Sequence, residues 1–108
     1  MSELLGTRMA VDYSLLKELR LRLERKGADL LLEVSGTIME SAKVFHSVGV
    51  KPAEDRLLLT VYASMVFWNK QGSPDFQTAV KLALAPGEYH VWYESPRTQP
   101  AFLGTWNV

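Results

Sequence analysis

Acid–base or metal chemistry near neutral pH would depend first on the two histidines, His46 and His90, because histidine is the side chain that titrates in that range. They are far apart in the sequence, whereas metal sites usually show ligands at short, regular spacing. The chain has no cysteine, which excludes thiolate ligands, disulfides and a cysteine nucleophile. The sequence therefore predicts no metal site, no cofactor and no catalytic residue.

Serine and glycine patterns also favour a non-enzymatic protein. No G-x-S-x-G hydrolase motif occurs, and the seven glycines stand singly, without the spacing of a phosphate-binding loop. A Ser–His–acid set can assemble from distant positions. An enzyme therefore stays open as an alternative in which His46 or His90 lies beside a serine or carboxylate in a cleft. We expect His46 instead to be a structural residue on the apolar face of its strand.

Aromatic side chains are the strongest sign of a binding role. Alternation along residues 89–94 predicts an apolar inward face and an outward face that carries Trp92, and alternation along residues 42–50 predicts that Phe45 projects outward. Outward aromatic side chains can anchor a protein partner or stack on a sugar ring, although small domains also place such residues in their cores and rims. The candidate binding residues are Trp92, His90, Glu94, Phe45 and Trp106.

The charge balance narrows the class of partner. Twelve basic and twelve acidic residues cancel, whereas binders of nucleic acid or anionic membranes usually present a basic face. The basic residues between positions 20 and 26 are interleaved with acidic ones, which indicates a charged outer face or edge. We therefore expect a protein partner or a homo-oligomer, with no nucleic acid and no membrane insertion.

The elements that position these residues are predicted to be strands. The most apolar run, DRLLLTVYASMVFW at residues 55–68, is too short to cross a bilayer as a helix, which needs about 20 residues. Its odd positions from 57 to 67 are apolar, while its even positions include Thr60, Tyr62 and Ser64. This alternation favours a central strand. Further strands are predicted at residues 29–35, 42–50, 76–84, 89–94 and 102–106.

Residues 14–25, SLLKELRLRLER, fit two structures. As a helix, they carry a leucine stripe between a serine cap and a terminating glycine. As a strand, Leu19, Leu21 and Leu23 alternate with charged residues, and the chain turns back through residues 25–28; we prefer the strand. Short strands with turn signals about every ten residues predict an all-β fold, an antiparallel β-sandwich of immunoglobulin-like architecture with about seven strands.

Four segments support a resemblance: VSGTIMESAKVF (residues 34–45), DRLLLTVYASMV (55–66), VKLAL (80–84) and HVWY (90–93). In this spacing the chain, over residues 17–106, resembles small uncharacterised bacterial β-sandwich proteins in which a hairpin edge precedes a long central strand. The resemblance implies an immunoglobulin-like sandwich and transfers no catalytic residue.

At 108 residues the chain has the size of one domain. We predict the β-sandwich at residues 17–108, preceded by an N-terminal segment at residues 1–16 that is either disordered or a tag. That segment lacks the apolar run of a signal peptide, so a cytoplasmic location is expected and export of a processed form stays open. The predicted function is a non-enzymatic interaction protein. The alternative is a carbohydrate- or small-ligand-binding sandwich that uses surface tryptophans.

Overall fold

The computed structural model describes residues 8–40, 43–65 and 75–108. Within them the chain is all-β, as predicted: its strands form two sheets, and the remaining regular element is a short 3-10 turn at Tyr13–Leu15. No helix in these three ranges has the length and apolarity needed to cross a membrane. The strands are β1 (Arg8–Ala10), β2 (Leu16–Lys26), β3 (Asp29–Ile38), β4 (Lys43–Ala53), β5 (Arg56–Met65), β6 (Asp75–Leu82), β7 (Glu88–Tyr93) and β8 (Ala101–Asn107).

The smaller sheet is antiparallel, in the order β2-β3-β6, and the larger sheet is mixed. In the larger sheet β4 pairs with one side of β5, while β1 and β7 pair with its other side, and β8 follows β7. β5 and β7 run parallel, so the prediction of a wholly antiparallel fold is wrong at this pair. The physical reason is the connection, because the chain passes through β6 in the other sheet before it returns.

The prediction of a central strand in the apolar run is confirmed. β5 covers Arg56–Met65 and has neighbours on both sides, while the end of the run, residues 66–68, lies outside the described ranges. Its odd positions Leu57, Leu59, Val61 and Ala63 are each at most 1% exposed. Fully burying a side chain of leucine or valine size contributes about 1.5–3 kcal/mol, so this face supplies much of the core.

The two sheets share one main core. Leu32 and Val34 of β3 pack in the same cluster as Leu59 of β5 and Tyr93 of β7. Side chains of the smaller sheet therefore meet those of the larger sheet face to face, as in a sandwich.

Residues 16–26 form a strand, and the preference for strand over helix is confirmed. Leu21 and Leu23 pack against the core from β2, and the hairpin to β3 turns between Lys26 and Asp29. The pairing of β2 with β3 shifts between Lys17 and Arg20. Because of this bulge, leucines at both even and odd positions of β2 reach the core.

Part of the predicted N-terminal segment belongs to the folded domain. β1 pairs with β5, and Val11 is 2% exposed within the main core. Only residues 1–7 of that segment lie outside the described ranges. The packing of the domain therefore extends to Arg8, nine positions before the boundary expected from the sequence.

Candidate functional site

An aromatic cluster lies on the outer face of the larger sheet, and we call its three residues, His90, Trp92 and Phe102, the aromatic patch. The rings of Trp92 and Phe102 meet edge to face with centroids 5.1 Å apart, and the rings of His90 and Phe102 lie 6.4 Å apart. Phe102 is 54% exposed. The patch therefore presents apolar aromatic surface to solvent, in the packing geometry that aromatic pairs prefer.

Regular alternation along β7 supplies two members of the patch. Tyr89, Val91 and Tyr93 are buried in the core, so His90 and Trp92 project from the opposite face. This outward position of Trp92 and His90 agrees with the prediction from the sequence.

A bulge in β8 supplies the third member. Trp92 pairs with Phe102 and Val91 pairs with Gly104, which leaves Leu103 as an extra residue. The extra residue changes which face the later positions occupy. Phe102 thus projects outward while Trp106, an even position like it, packs against the core. The prediction that Trp106 is a surface binding residue is therefore wrong, because this side chain lies at the margin of the core.

His90 has polar contacts at the rim of the patch. Its Nδ1 lies 3.3 Å from Thr105 Oγ1, and its Nε2 lies 3.9 Å from Asp55 Oδ2. The side chain of His90 is 41% exposed and that of Asp55 is 66% exposed. Both contacts are thus open to water, and a solvated pair of this kind contributes little to stability.

The predicted positions of Phe45 and His46 are wrong, and a second bulge is the reason. The pairing of β4 with β5 shifts between Phe45 and Ser47, which reverses the alternation along β4. Phe45 points inward and stacks on Phe76, with ring centroids 4.6 Å apart and planes 6° from parallel. His46 is exposed. Phe45 is therefore a core residue and cannot join the aromatic patch.

His46 does lie beside a serine, with its Nδ1 2.8 Å from Ser47 Oγ. The pair is exposed, and neither histidine is among the residues that line the three cavities described below. In the described ranges no three His, Asp or Glu residues are grouped closely enough to hold a metal ion. The arrangement thus offers a surface hydrogen bond rather than a nucleophile and base inside a cleft.

Glu94 is exposed and lies at the end of β7, away from Trp106. It lines an open notch of about 240 Å³ at the point where β1 and β7 approach each other beside β5. The notch has hydroxyl, carboxylate and aromatic groups on its walls, and its lining residues are Ala10, Thr60, Tyr62, Glu94, Ser95 and Pro96. Such a lining can form hydrogen bonds to a small polar ligand.

The smaller sheet carries two shallow cavities on its outer face, and both include charged side chains in their linings. One of about 390 Å³ includes Arg20, Arg22 and Glu33 in its lining, and a neighbouring one of about 290 Å³ shares Arg20 and Ser35 with it. Arg22 lies 3.9 Å from Glu33. Opposite charges thus neutralise each other locally, in agreement with the charged outer face predicted for β2.

A hydrogen-bonded cluster around the buried side chain of Asp12 ties the N-terminal segment to the rest of the fold, and nothing in the sequence pattern indicated it. The Asp12 carboxylate accepts hydrogen bonds from Ser14 and from the backbone N–H groups of Arg97 and Thr98. Hydrogen bonding by the Ser14 hydroxyl is the largest cause that lowers the pKa of Asp12, and the backbone N–H groups lower it further. The ionised form of Asp12 is therefore the one that the fold favours.

Tyr93 connects the same region to the core. Its hydroxyl donates to the Val11 carbonyl and accepts from the Val61 N–H at 3.1 Å. Burial raises the pKa of Tyr93 to about 12. The alternation placed Tyr93 inside correctly, but only the pairing of three strands around it reveals the role of its hydroxyl.

No family model, curated protein or solved structure matches this chain.

Proposed function

We propose that this chain is a non-enzymatic interaction protein that binds a protein partner through the aromatic patch. The observation that carries the proposal is the exposure of Phe102, 54% of which faces solvent while its ring packs on Trp92. Aromatic residues of this kind are enriched among the residues that dominate protein interfaces. A partner that covered the rings of Trp92 and Phe102 would remove apolar surface from water, which is favourable by about 25 cal/mol for each Å² buried.

Two features of the patch favour a protein over a charged ligand. Its centre carries no charge, and the ionisable pair at its rim, His90 and Asp55, is solvated. A rim of this type surrounds an apolar centre in typical interfaces.

We further propose that the two-sheet architecture is an immunoglobulin-like sandwich of the kind implied by the resemblance of residues 17–106. The antiparallel order β2-β3-β6 and the shared core of the two sheets support this class. The parallel pairing of β5 with β7 is a departure from it. An experimental structure that superposes the strand order on an immunoglobulin domain would establish the class, and a different order would reject it.

Site-specific photo-crosslinking tests the proposed interaction. A photoreactive benzoylphenylalanine replaces Phe102 in one variant and Met39 in a matched control, because Met39 is equally exposed, at 55%, but lies beyond the end of β3. In cells of the source organism, the variant at Phe102 should give a crosslinked protein that the variant at Met39 does not. Adding Trp92→Ala should reduce that product, because the anchoring pair is broken.

Identical products at the two positions, or a product at Phe102 that is insensitive to Trp92→Ala, would reject the patch as the binding surface. Folding of each variant is checked by circular dichroism. Phe102 and Met39 are both exposed, so the photoreactive residue is expected to leave the fold intact at either position.

A carbohydrate or other small polar ligand is the second candidate, and the notch next to Thr60, Tyr62 and Glu94 is the observation that favours it. Aromatic and carboxylate groups there could stack on and hydrogen-bond to a sugar. Trp106 is excluded from this site because it packs against the core. Chemical shifts of the Thr60 and Glu94 amides, followed by NMR against a glycan panel, should move if the candidate is correct. Unchanged chemical shifts across the glycan panel would reject this second candidate.

A further inference from the structure

β8 differs from the other strands that have an open side. Charged residues or proline protect such strands from pairing with other chains, and examples are Arg8 in β1, Arg22 in β2, Lys51 and Pro52 in β4, and Lys81 in β6. β8, with the sequence AFLGTWN, contains neither a charge nor a proline. Among the described strands it pairs with β7 alone, so one of its sides is an unprotected edge.

The register shows which backbone groups of β8 point to that open side. Gly87 and Val108 exchange two hydrogen bonds, of 3.0 and 2.8 Å. In an antiparallel pair, such hydrogen-bonded positions alternate with positions whose N–H and C=O groups point away from the neighbouring strand. Trp106, two positions before Val108, therefore bonds to β7. Thr105 and Asn107 direct their backbone groups to the open edge.

We propose that this edge pairs with the β8 edge of a second copy of the chain, antiparallel and about a two-fold axis at Trp106. In this register Thr105 of each copy lies opposite Asn107 of the other. The four outward N–H and C=O groups of each strand are then satisfied by the same groups of its mate. The two larger sheets would join into one continuous sheet through the dimer.

Charge is the reason for choosing a second copy as the occupant. Like charges directly opposite each other destabilise a strand pair, and β4, paired with itself, would bring its lysines into such positions. β8 can lie against itself without any charge repulsion, because it contains no charged residue. Two-fold pairing of identical surfaces is also the commonest symmetry of soluble oligomers.

This inference goes beyond the proposed function and does not depend on it. The two-fold axis is perpendicular to the joined sheet, so the outer faces of both copies lie on the same side. Phe102 of each copy lies outside the paired residues and stays exposed to solvent. The dimer would therefore display two aromatic patches on one surface, and a partner with two binding segments would gain avidity from them.

Light scattering over a concentration series tests the pairing with the full chain. The wild-type protein should approach twice the 12.2 kDa chain mass as the concentration rises. Thr105→Pro removes one outward N–H, a change that edge strands tolerate, and should return the protein to the monomer mass. Thr105→Val keeps that N–H and loses the contact to His90, so it should dimerise like the wild type.

A second variant and an exchange measurement keep the result interpretable if Thr105→Pro fails to fold. Thr105→Lys retains the N–H but places a lysine at the edge, and it should also be monomeric. In hydrogen exchange, the Thr105 and Asn107 amides should gain protection as the protein concentration rises. The Trp106 amide, which bonds to β7, and the Val108 amide, which bonds to the Gly87 carbonyl just before β7, should be protected at every concentration.

Three results would overturn the proposed pairing: a wild-type monomer at all concentrations, a dimer that survives both Thr105→Pro and Thr105→Lys, or protection of the Thr105 amide in the dilute monomer. If protection of Thr105 requires an unrelated protein instead, the edge accepts a foreign strand and the second-copy proposal is wrong. Trp92→Ala should leave the dimer intact. Failure of the dimer and failure of the aromatic patch are therefore separate outcomes.

Discussion

Replacing Tyr93 with phenylalanine removes one hydroxyl from the place where β1 and β7 approach each other beside β5. Val61 of β5 falls between the two strands, and its N–H has the Tyr93 hydroxyl as its partner. The same hydroxyl donates to the Val11 carbonyl, and the Tyr93 side chain is 0% exposed. In Tyr93→Phe, both backbone groups lose their partner in a site that water does not reach.

A buried donor or acceptor left without a partner costs about 1–3 kcal/mol, and two such groups are created here. We therefore expect Tyr93→Phe to lower the free energy of unfolding by about 2–6 kcal/mol, measured by urea denaturation with an unchanged m-value. Tyr89→Phe is the matched control, because the Tyr89 hydroxyl makes one hydrogen bond, to the Ala85 carbonyl at 2.8 Å in a partly buried position. Loss of this hydrogen bond in Tyr89→Phe should lower the free energy of unfolding by about 1 kcal/mol.

The same substitution should change how stability depends on alkaline pH. Burial raises the pKa of Tyr93 from 10.0 to about 12, so the folded state holds the phenolic proton more tightly than the unfolded chain does. The resulting stabilisation is complete below pH 10 and is lost as the pH rises from 10 to about 12. It amounts to at most about 2.7 kcal/mol, since one pKa unit corresponds to 1.36 kcal/mol.

Tyr93→Phe lacks this titration, so the stability difference between wild type and variant should shrink across that pH range. A loss below about 0.5 kcal/mol at neutral pH, which is the size expected for an ordinary surface substitution, would show that the hydroxyl does not hold the strands together. A constant difference between wild type and variant from pH 9 to 12 would refute the assigned pKa shift.

Three further predictions concern the stability of the protein at acid pH and the side chains on the two faces of β4. Asp12→Asn should destabilise the protein at neutral pH, and the deficit should diminish as the pH falls below 3.8, because a lowered pKa stabilises the fold only while the carboxylate is ionised; a pH-independent deficit in urea titrations would contradict this. Phe45→Ala should cost about 2–4 kcal/mol in the same assay because it removes the ring stacked on Phe76. A cost near zero would mean that Phe45 faces outward after all. Gly49→Ala places a Cβ 3.0 Å from Tyr62 Cε2 and should cost about 1 kcal/mol, and the cost should vanish in a Tyr62→Ala background in a double-mutant cycle.

The patterns that depend on neighbouring positions could be predicted from the sequence. Strict alternation located β3, β5 and β7, identified the buried faces of Leu59 and Tyr93, and placed Trp92 on the outer face. Alternation also favoured a strand over a helix for residues 14–25, because Leu21 and Leu23 fit a period of two. These predictions succeeded because the period of a strand is a local property of the backbone.

The candidate site was predictable only in part, because bulges reverse alternation. One extra residue in β4 moved Phe45 into the core and His46 into solvent. One extra residue in β8 exposed Phe102 and turned Trp106 inward. A bulge depends on how two strands align with each other, so the sequence of either strand alone does not reveal it.

Local alternation alone therefore predicted an all-β domain with a central strand within residues 55–68 and an outward tryptophan at position 92. The parallel pairing of β5 with β7, the contact of Phe102 with Trp92 and the edge position of β8 among the described strands follow from the three-dimensional fold. The two groups of features differ in the distance along the chain over which they are set. Side-chain alternation is set within a few residues, whereas strand order, register and exposure are set by segments that meet across the whole chain.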